Sequence, residues 1–228
     1  SLNKLNLIDA TDKKIALILA ARDGSLRVLN ILKNEFGLTT EDARVRDNAT
    51  LRCAAANGHV TVLRVLIDEF GLTTQDAKAK NNYALKSAAT NGHVTVLRVL
   101  KDDFGLTADD ARAHANYALG CAAKNGHVEV LRFLINEYNF TIEDARTDNN
   151  YALRMAAANG HVEVLRLLIN EIGLNAQDAR VDDDYALKKA SSRGHLEVLR
   201  FLIDEIAFAR DDLNQAFRRA SCLGHGEV

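Results

Sequence analysis

The sequence repeats itself with a fixed period of 34 residues, marked most clearly by a Gly-His pair. Gly24-Ser25 occupies the same place at the start of the series, and Gly224-His225 comes four residues early at its end. The regular pairs are Gly58-His59, Gly92-His93, Gly126-His127, Gly160-His161 and Gly194-His195. A fixed period of this length is typical of solenoids, in which each supersecondary unit packs only on its neighbours. The period therefore predicts one continuous array.

Each period predicts two helices. Within residues 72–105, apolar residues at helical spacing predict a first helix from about Tyr83 to Thr90 and a second from about Val94 to Asp103. A glycine after each helix provides the left-handed residue that ends it. Asn82 precedes the first helix, and we expect its side-chain oxygen to cap that helix.

A short third helix is predicted between the second helix of one repeat and the first helix of the next. The signal is a Thr-x-x-Asp sequence, which resembles a capping box with Asp in place of the usual Glu. It occurs at Thr39-x-x-Asp42, Thr73-x-x-Asp76, Thr107-x-x-Asp110 and Thr141-x-x-Asp144, with a weaker copy at Asn175-x-x-Asp178. No segment alternates as a strand would, and the chain contains no proline. The predicted fold class is all-α.

The repeat Tyr-Ala-Leu-Arg/Lys-x-Ala-Ala-x-Asn-Gly-His-Val-x-Val-Leu-Arg-x-Leu-Ile resembles the ankyrin pattern T-P-L-H-x-A-A-x-x-G-H-x-x-V-V-x-L-L-L-x-x-G. The resemblance covers nearly the whole chain. It implies an ankyrin-type α-solenoid of about six to seven stacked helix pairs, with partner binding on the concave face and loop tips. Tetratricopeptide arrays also repeat every 34 residues, but their Trp and Pro positions are missing here.

The sequence departs from the ankyrin pattern in three ways, and the third changes the predicted structure of the connection between repeats. A tyrosine followed by alanine replaces the Thr-Pro that opens the first helix, and one residue is added before the closing glycine. Asp-Ala-Arg-x-x-x-Asn stands where the usual β-hairpin finger has its turn, which favours the short helix. The tyrosines are Tyr83, Tyr117, Tyr151 and Tyr185.

The array divides into a cap, full repeats and a shortened end. Residues 1–37 are predicted to form a degenerate N-terminal capping repeat, because one face of the first unit has no neighbour. Residues 38–207 hold five full repeats, and residues 208–228 form a shortened, truncated one. Because the chain stops where a second helix is due, we expect the native protein to continue beyond Val228.

Composition excludes several classes of protein. The net charge of −2 gives no general attraction to nucleic acid or anionic membranes, and no apolar run reaches the ~18 residues of a membrane span. The odd cysteine count, Cys53, Cys121 and Cys222, shows no metal-ligand spacing. We therefore expect an intracellular protein of the cytoplasm, or of a host cytosol if it is a secreted effector. We expect it to be monomeric and to bind neither a membrane nor nucleic acid.

Two repeated polar series deserve consideration as sites. The histidine series comprises His59, His93, His127, His161, His195 and His225. Its members recur once per repeat and are expected to hydrogen-bond loop backbone, since metal ligands must converge on one ion. The arginine series, Arg64, Arg98, Arg132, Arg166 and Arg200, is expected to pair with acids three or four residues away.

Catalytic chemistry has no counterpart in the sequence. Asp182-Asp183-Asp184 lacks the glycine of a calcium loop and is expected to be a solvated loop tip. No nucleophile–base pair or glycine-rich phosphate loop is present. We predict that the chain is not an enzyme and needs no metal or cofactor.

The positions that vary between repeats are the candidate partner-binding residues. The tip column, which precedes the first helix, is Arg46, Lys80, His114, Asp148 and Asp182, and it changes from positive to negative along the chain. The helix column is Arg52, Lys86, Gly120, Arg154 and Lys188. The adjacent column is Cys53, Ser87, Cys121, Met155 and Lys189, and Lys124 lies near the end of its helix. These columns predict a protein-interaction scaffold; the alternative is a designed or consensus-like array without a natural ligand.

Overall fold

The structure, a computed structural model, describes residues 9–206. Within that range the chain is helical, with no strand, as predicted. The helices are α1 Ala10–Arg22, α2 Leu26–Asn34, α3 Thr40–Ala43, α4 Val45–Ala56, α5 Val60–Asp68, α6 Thr74–Ala77, α7 Ala79–Thr90, α8 Val94–Asp102, α9 Ala108–Lys124, α10 Val128–Tyr138, α11 Ile142–Ala158, α12 Val162–Asn170, α13 Ala176–Ala179, α14 Val181–Ser192 and α15 Leu196–Ile206.

Six helix pairs follow one another in the described range. They are α1 with α2, α4 with α5, α7 with α8, α9 with α10, α11 with α12, and α14 with α15. The chain divides into two compact units, residues 1–113 and 114–228. The truncated repeat predicted at 208–228 lies outside the described residues.

Small and branched apolar side chains form the core of each unit. In α7, Ala84, Leu85 and Ala88 are fully buried, and in α8 so are Leu97 and Leu100. First helices pack on first helices of the neighbouring repeat, as α4 does on α7 and α11 on α14. Alanine at the contact allows this close approach, and the leucines supply most of the apolar burial, at about 1.5–3 kcal/mol each.

The predicted capping boxes are present, and their aspartates also join successive repeats. Thr73 donates from its backbone nitrogen and Oγ1 to Asp76 Oδ2, at 2.8 and 3.0 Å. From the preceding repeat, Arg44 Nε donates to Asp76 Oδ1 at 2.8 Å, and a second guanidinium nitrogen donates to Oδ2 at 3.1 Å. The same bridge joins Lys78 with Asp110. A shorter acid can serve both partners, which explains why Asp occupies this place in every repeat.

The pKa of Asp76 is lowered by this arrangement. Burial alone would raise it, but the hydrogen bonds from Arg44 and Thr73 stabilise the carboxylate more strongly. The pKa of Asp178, which receives Arg146 in the second unit, is lowered in the same way. Each repeat junction with such a bridge is therefore strongest when the aspartate is ionised.

A turn of left-handed backbone lies within α4, α7, α9, α11 and α14 as bounded above and separates their first residues from the regular first helix; this was not predicted. Three consecutive residues have positive φ in each of the five full repeats, for example Lys80, Asn81 and Asn82 at 51°, 59° and 60°. Asn and Asp tolerate this conformation better than most residues, because their short side chains can form local hydrogen bonds.

The cap predicted at the asparagine that ends this turn is wrong. Asn82 Nδ2 donates to the carbonyl of Asp110 in the following repeat, at 3.1 Å. Asn150 Nδ2 does the same to the carbonyl of Asp178, at 3.0 Å, while its Oδ1 has no hydrogen-bond partner. These asparagines therefore connect neighbouring repeats, and they do not cap their own helix.

Candidate functional site

The tip column occupies the first position of each left-handed turn. Its five residues have φ between 51° and 59°, and all of them are exposed. They are Arg46, Lys80, His114, Asp148 and Asp182. The turn thus places the most variable charge of each repeat at the surface. The two residues that follow it complete the left-handed turn.

Two arginines of the helix column pin the left-handed turn of their own repeat. Arg52 donates from Nε to the carbonyl of Asp47 and from its guanidinium to the carbonyl of Arg46, both at 2.9 Å. Its guanidinium also lies 5.1 Å from the ring centre of Tyr83 in the next repeat. Arg154 makes the equivalent bonds in the second unit. Much of the hydrogen-bonding capacity of these arginines is therefore used within the fold.

The remaining members of the helix column differ from these arginines. Lys188 forms an ion pair with Asp183 in the turn of its own repeat. Lys86 is half-buried. Gly120 has no side chain, and the ring of Tyr151 lies so close to it that an added Cβ would be 2.6 Å from Tyr151 Cδ1.

The adjacent column is largely half-buried. Cys53, Ser87, Met155 and Lys189 are partly accessible, whereas Cys121 is buried at 8% exposure. Lys124 is fully exposed. Cys121 consequently offers the least surface of the predicted residues. Both described cysteines are free thiols.

Some charges of the tip column are already paired. Lys80 Nζ lies 3.1 Å from Asp47 Oδ2, and both side chains are more than half exposed. Arg154 lies 2.6 Å from Asp182 Oδ2. The exposed pair of Lys80 with Asp47 contributes about 1 kcal/mol or less to stability, so a partner can compete for it. The Arg154 side chain is only 12% exposed, so its pair with Asp182 belongs to the fold.

The histidine series makes the backbone contacts that were predicted for it. In four of these histidines, Nε2 meets a carbonyl 37 residues earlier, in the preceding repeat. The pairs are His59 with Arg22 at 2.8 Å, His93 with Ala56 at 3.1 Å, His161 with Lys124 at 2.9 Å and His195 with Ala158 at 3.1 Å. In residues 9–206 no group of His, Cys, Asp or Glu is placed to hold a metal ion.

The glycine of each pair receives the histidine of the next repeat. Gly126 has φ of 76°, and a Cβ there would lie 2.6 Å from His161 Nδ1. Gly160 stands in the same relation to His195, at 2.9 Å. Glycine is needed both for the left-handed backbone and for the close approach of the ring. The Gly-His pair is thus a joint between repeats.

The arginine series pairs both locally, as predicted, and between repeats, which was not predicted; Arg166 does both, at 3.7 Å from Glu163 and 3.6 Å from Glu205. Arg132 binds Glu171 at 2.6 Å, and Arg64 lies 3.5 Å from Asp103, in each case 39 residues on. Arg200 does pair locally, with Glu197 at 3.2 Å. The acidic partners that sequence reasoning missed lie at the end of the second helix of the following repeat. They come close to the arginine only because the repeats stack.

Sequence reasoning also missed the tyrosines as part of the surface. Tyr83 and Tyr117 are 46% and 48% exposed at the start of their helices. Lys189 lies 5.5 Å from the ring centre of Tyr185. The sequence did carry a signal: a tyrosine recurs at this position in four repeats, where the ankyrin pattern has threonine.

Comparison with known proteins identifies the fold. The family model for ankyrin repeats in three copies matches overlapping segments at residues 17–110, 54–144, 103–179 and 153–228. An ankyrin repeat family protein from Legionella pneumophila shares 23% identity and a TM-score of 0.50, over 94% of this chain and 67% of that one. None of the curated proteins gives a significant match.

Within the described residues, no helix is long and apolar enough to cross a membrane. Ankyrin repeats are generally protein–protein interaction modules and are typically non-enzymatic scaffolds. With matches that together extend from residue 17 to residue 228, the chain belongs to the ankyrin-repeat family.

Proposed function

We propose that this chain is an intracellular scaffold that binds a partner protein through its tip column and the exposed part of its first helices. The observation that carries the proposal is the contrast between neighbouring positions. Residues that repeat, such as Asn82 and His93, bond to the adjacent repeat, whereas the exposed first residue of every turn changes in charge. Positions that vary while the contacts between repeats stay constant are those where a partner can be specified.

The charges favour a partner with two kinds of surface. Acidic groups would face Arg46 and Lys80 in the first unit, and basic groups would face Asp148 and Asp182 in the second. Complementary charge of this kind increases the association rate and sets orientation more than it increases affinity. The free thiols of Cys53 and Cys121 support a reducing compartment.

The test compares partner capture by the native chain and by the double variant Arg46→Glu, Lys80→Glu. Proteins from a candidate host lysate would be captured on both and quantified side by side by mass spectrometry. We expect specific partners to be depleted on the variant, while its stability falls by only about 1 kcal/mol or less, because both side chains and the Lys80–Asp47 pair are exposed. Equal capture of every protein by the two forms would contradict the role of the tip column.

The same experiment distinguishes the scaffold from a consensus-like array. An array without a natural ligand would capture no protein above background and would unfold at an unusually high temperature. A scaffold would retain at least one partner whose recovery depends on Arg46 and Lys80. The lysate proteins recovered equally on an unrelated ankyrin array provide the background.

A further inference from the structure

Arg154 shows what a guanidinium group contacts on the surface of one repeat. Its Nε donates to the carbonyl of Asn149 at 2.8 Å, and its terminal nitrogens bind the carbonyl of Asp148 at 3.1 Å and Asp182 Oδ2 at 2.6 Å. Its Cζ lies 5.1 Å from the ring centre of Tyr185. Two carbonyls, one carboxylate and one aromatic ring thus surround the group.

The same four groups recur 34 residues earlier without the arginine. The positions equivalent to the two carbonyls are His114 and Ala115, the carboxylate is Asp148, and the ring is Tyr151. The position equivalent to Arg154 is Gly120, which carries no side chain. In the other four full repeats this position is Arg or Lys, so among the five full repeats Gly120 marks the one without its own cation.

A cleft of about 250 Å³ opens beside Gly120. Gly120, His114, Ala115, Asp148 and Tyr151 all line it. A water molecule occupies about 30 Å³ in the liquid, so the cleft has room for a group much larger than one water. The ring of Tyr151 covers Gly120 and forms one wall.

The polar groups of the cleft belong to exposed residues of two successive left-handed turns. His114 and Ala115 have φ of 59° and 54°, and both are exposed. Asp148 is exposed at the tip of the next repeat. In the neighbouring repeat this same backbone geometry presents the carbonyls of Asp148 and Asn149 to a guanidinium.

We propose that this cleft binds the guanidinium group of an arginine on the partner protein. A planar guanidinium offers five donors in a fork, accepts no hydrogen bond and stacks on aromatic rings, which matches two carbonyls, a carboxylate and a tyrosine. An ammonium is a compact point charge and cannot use all of them together. The arginine would come from the partner, so this assignment rests on the proposed function. Within that function, it makes Gly120 a position that determines which partner binds.

The test uses Nα-acetylarginine methylamide as a probe of the cleft and Nα-acetyllysine methylamide as its matched comparison. Backbone amide resonances of the ¹⁵N-labelled chain would be followed by NMR during titration. We expect the arginine probe to shift the amides of Gly120, His114 and Ala115 saturably, and the lysine probe to do so several-fold more weakly.

Three variants assign the binding to the cleft. Gly120→Arg puts a bulky side chain beside the cleft and forces the ring of Tyr151, which forms one wall, to move, so it is expected to abolish the shifts. Asp148→Asn removes the exposed carboxylate and is expected to weaken probe binding about two- to fivefold. Asp182→Asn changes the same position of the next repeat, where Arg154 already occupies the site, and should leave probe binding unchanged.

The outcomes separate this assignment from the proposed function. No saturable shift at Gly120, equal binding of the lysine probe, or full binding by Gly120→Arg would overturn the assignment. If Gly120→Arg does not fold, Asp148→Asn against Asp182→Asn decides in its place. Should a partner be captured while the probe does not bind, the scaffold stands and the arginine cleft fails. Should the probe bind while no partner is found, guanidinium binding by the cleft stands, but the scaffold fails and with it the assignment to an arginine of a partner.

Discussion

Replacing Gly126 by alanine tests whether the Gly-His pair is a joint between repeats. The backbone at Gly126 has φ of 76°, which costs a residue with a Cβ about 1–2 kcal/mol. The new Cβ would also lie 2.6 Å from Nδ1 and 2.8 Å from Cε1 of His161, so the ring must move. Its 2.9 Å hydrogen bond to the carbonyl of Lys124 would be lost, at about 1 kcal/mol. The expected total loss of stability is about 2–3 kcal/mol.

Gly173→Ala is the matched control. Gly173 has φ of 93°, and the nearest side-chain atom to its added Cβ is 4.0 Å away, on Ile142. Gly173→Ala pays the cost of a Cβ on left-handed backbone but displaces no ring. The free energy of unfolding of Gly126→Ala should therefore be about 1 kcal/mol lower than that of Gly173→Ala. Urea unfolding followed by far-UV circular dichroism measures both, compared at equal m-value.

His161→Ala completes the cycle. In a chain that already lacks the ring, Gly126→Ala should cost no more than Gly173→Ala, which gives a coupling of about 1 kcal/mol between Gly126 and His161. Equal stability of the two glycine variants, or no coupling with His161, would refute the joint. A loss confined to Gly173→Ala would also refute it.

Three further predictions follow from the structure. Asp76→Asn should lower the free energy of unfolding by about 1–2 kcal/mol at neutral pH. Because the pKa of Asp76 is lowered on folding, the difference from the native chain should be complete above the ordinary aspartate pKa of about 3.9 and should vanish as the pH falls through the folded pKa. Urea titrations at pH values from 7 to 2 measure this difference. Arg154→Lys should cost about 1 kcal/mol in the same assay, because an ammonium cannot reach both turn carbonyls and the carboxylate, whereas unchanged stability would deny the pinning role. In a Cys222→Ser background, Ellman's reagent should modify half-buried Cys53 before buried Cys121, and the reverse order would contradict the packing.

The periodic features of the fold were predictable because one repeat predicts the others. The stripes of α7 and α8, the capping box at Thr73 and the backbone bond of His93 all follow from local spacing or from recurrence at a fixed interval. These are short-range signals, which sequence patterns carry well.

Features that depend on stacking were not predictable in the same way. The left-handed turn at Lys80 arises from three residues of which none is glycine, so no local signal marked it. Asn82 bonds to the next repeat, and Arg132 pairs with Glu171 39 residues away, because the stack makes them neighbours. The candidate cleft was visible in the sequence only as one glycine, Gly120, in a basic column.

The most direct test of the account measures one captured partner against two variants at a temperature where both are folded. Binding is assigned to the tip column and stability to the histidine series. Arg46→Glu, Lys80→Glu is expected to raise the partner's Kd with a loss of stability of about 1 kcal/mol or less, while His161→Ala is expected to lower stability more and leave the Kd unchanged. The opposite pattern, in which His161→Ala abolishes binding and the tip variant binds normally, would contradict the account.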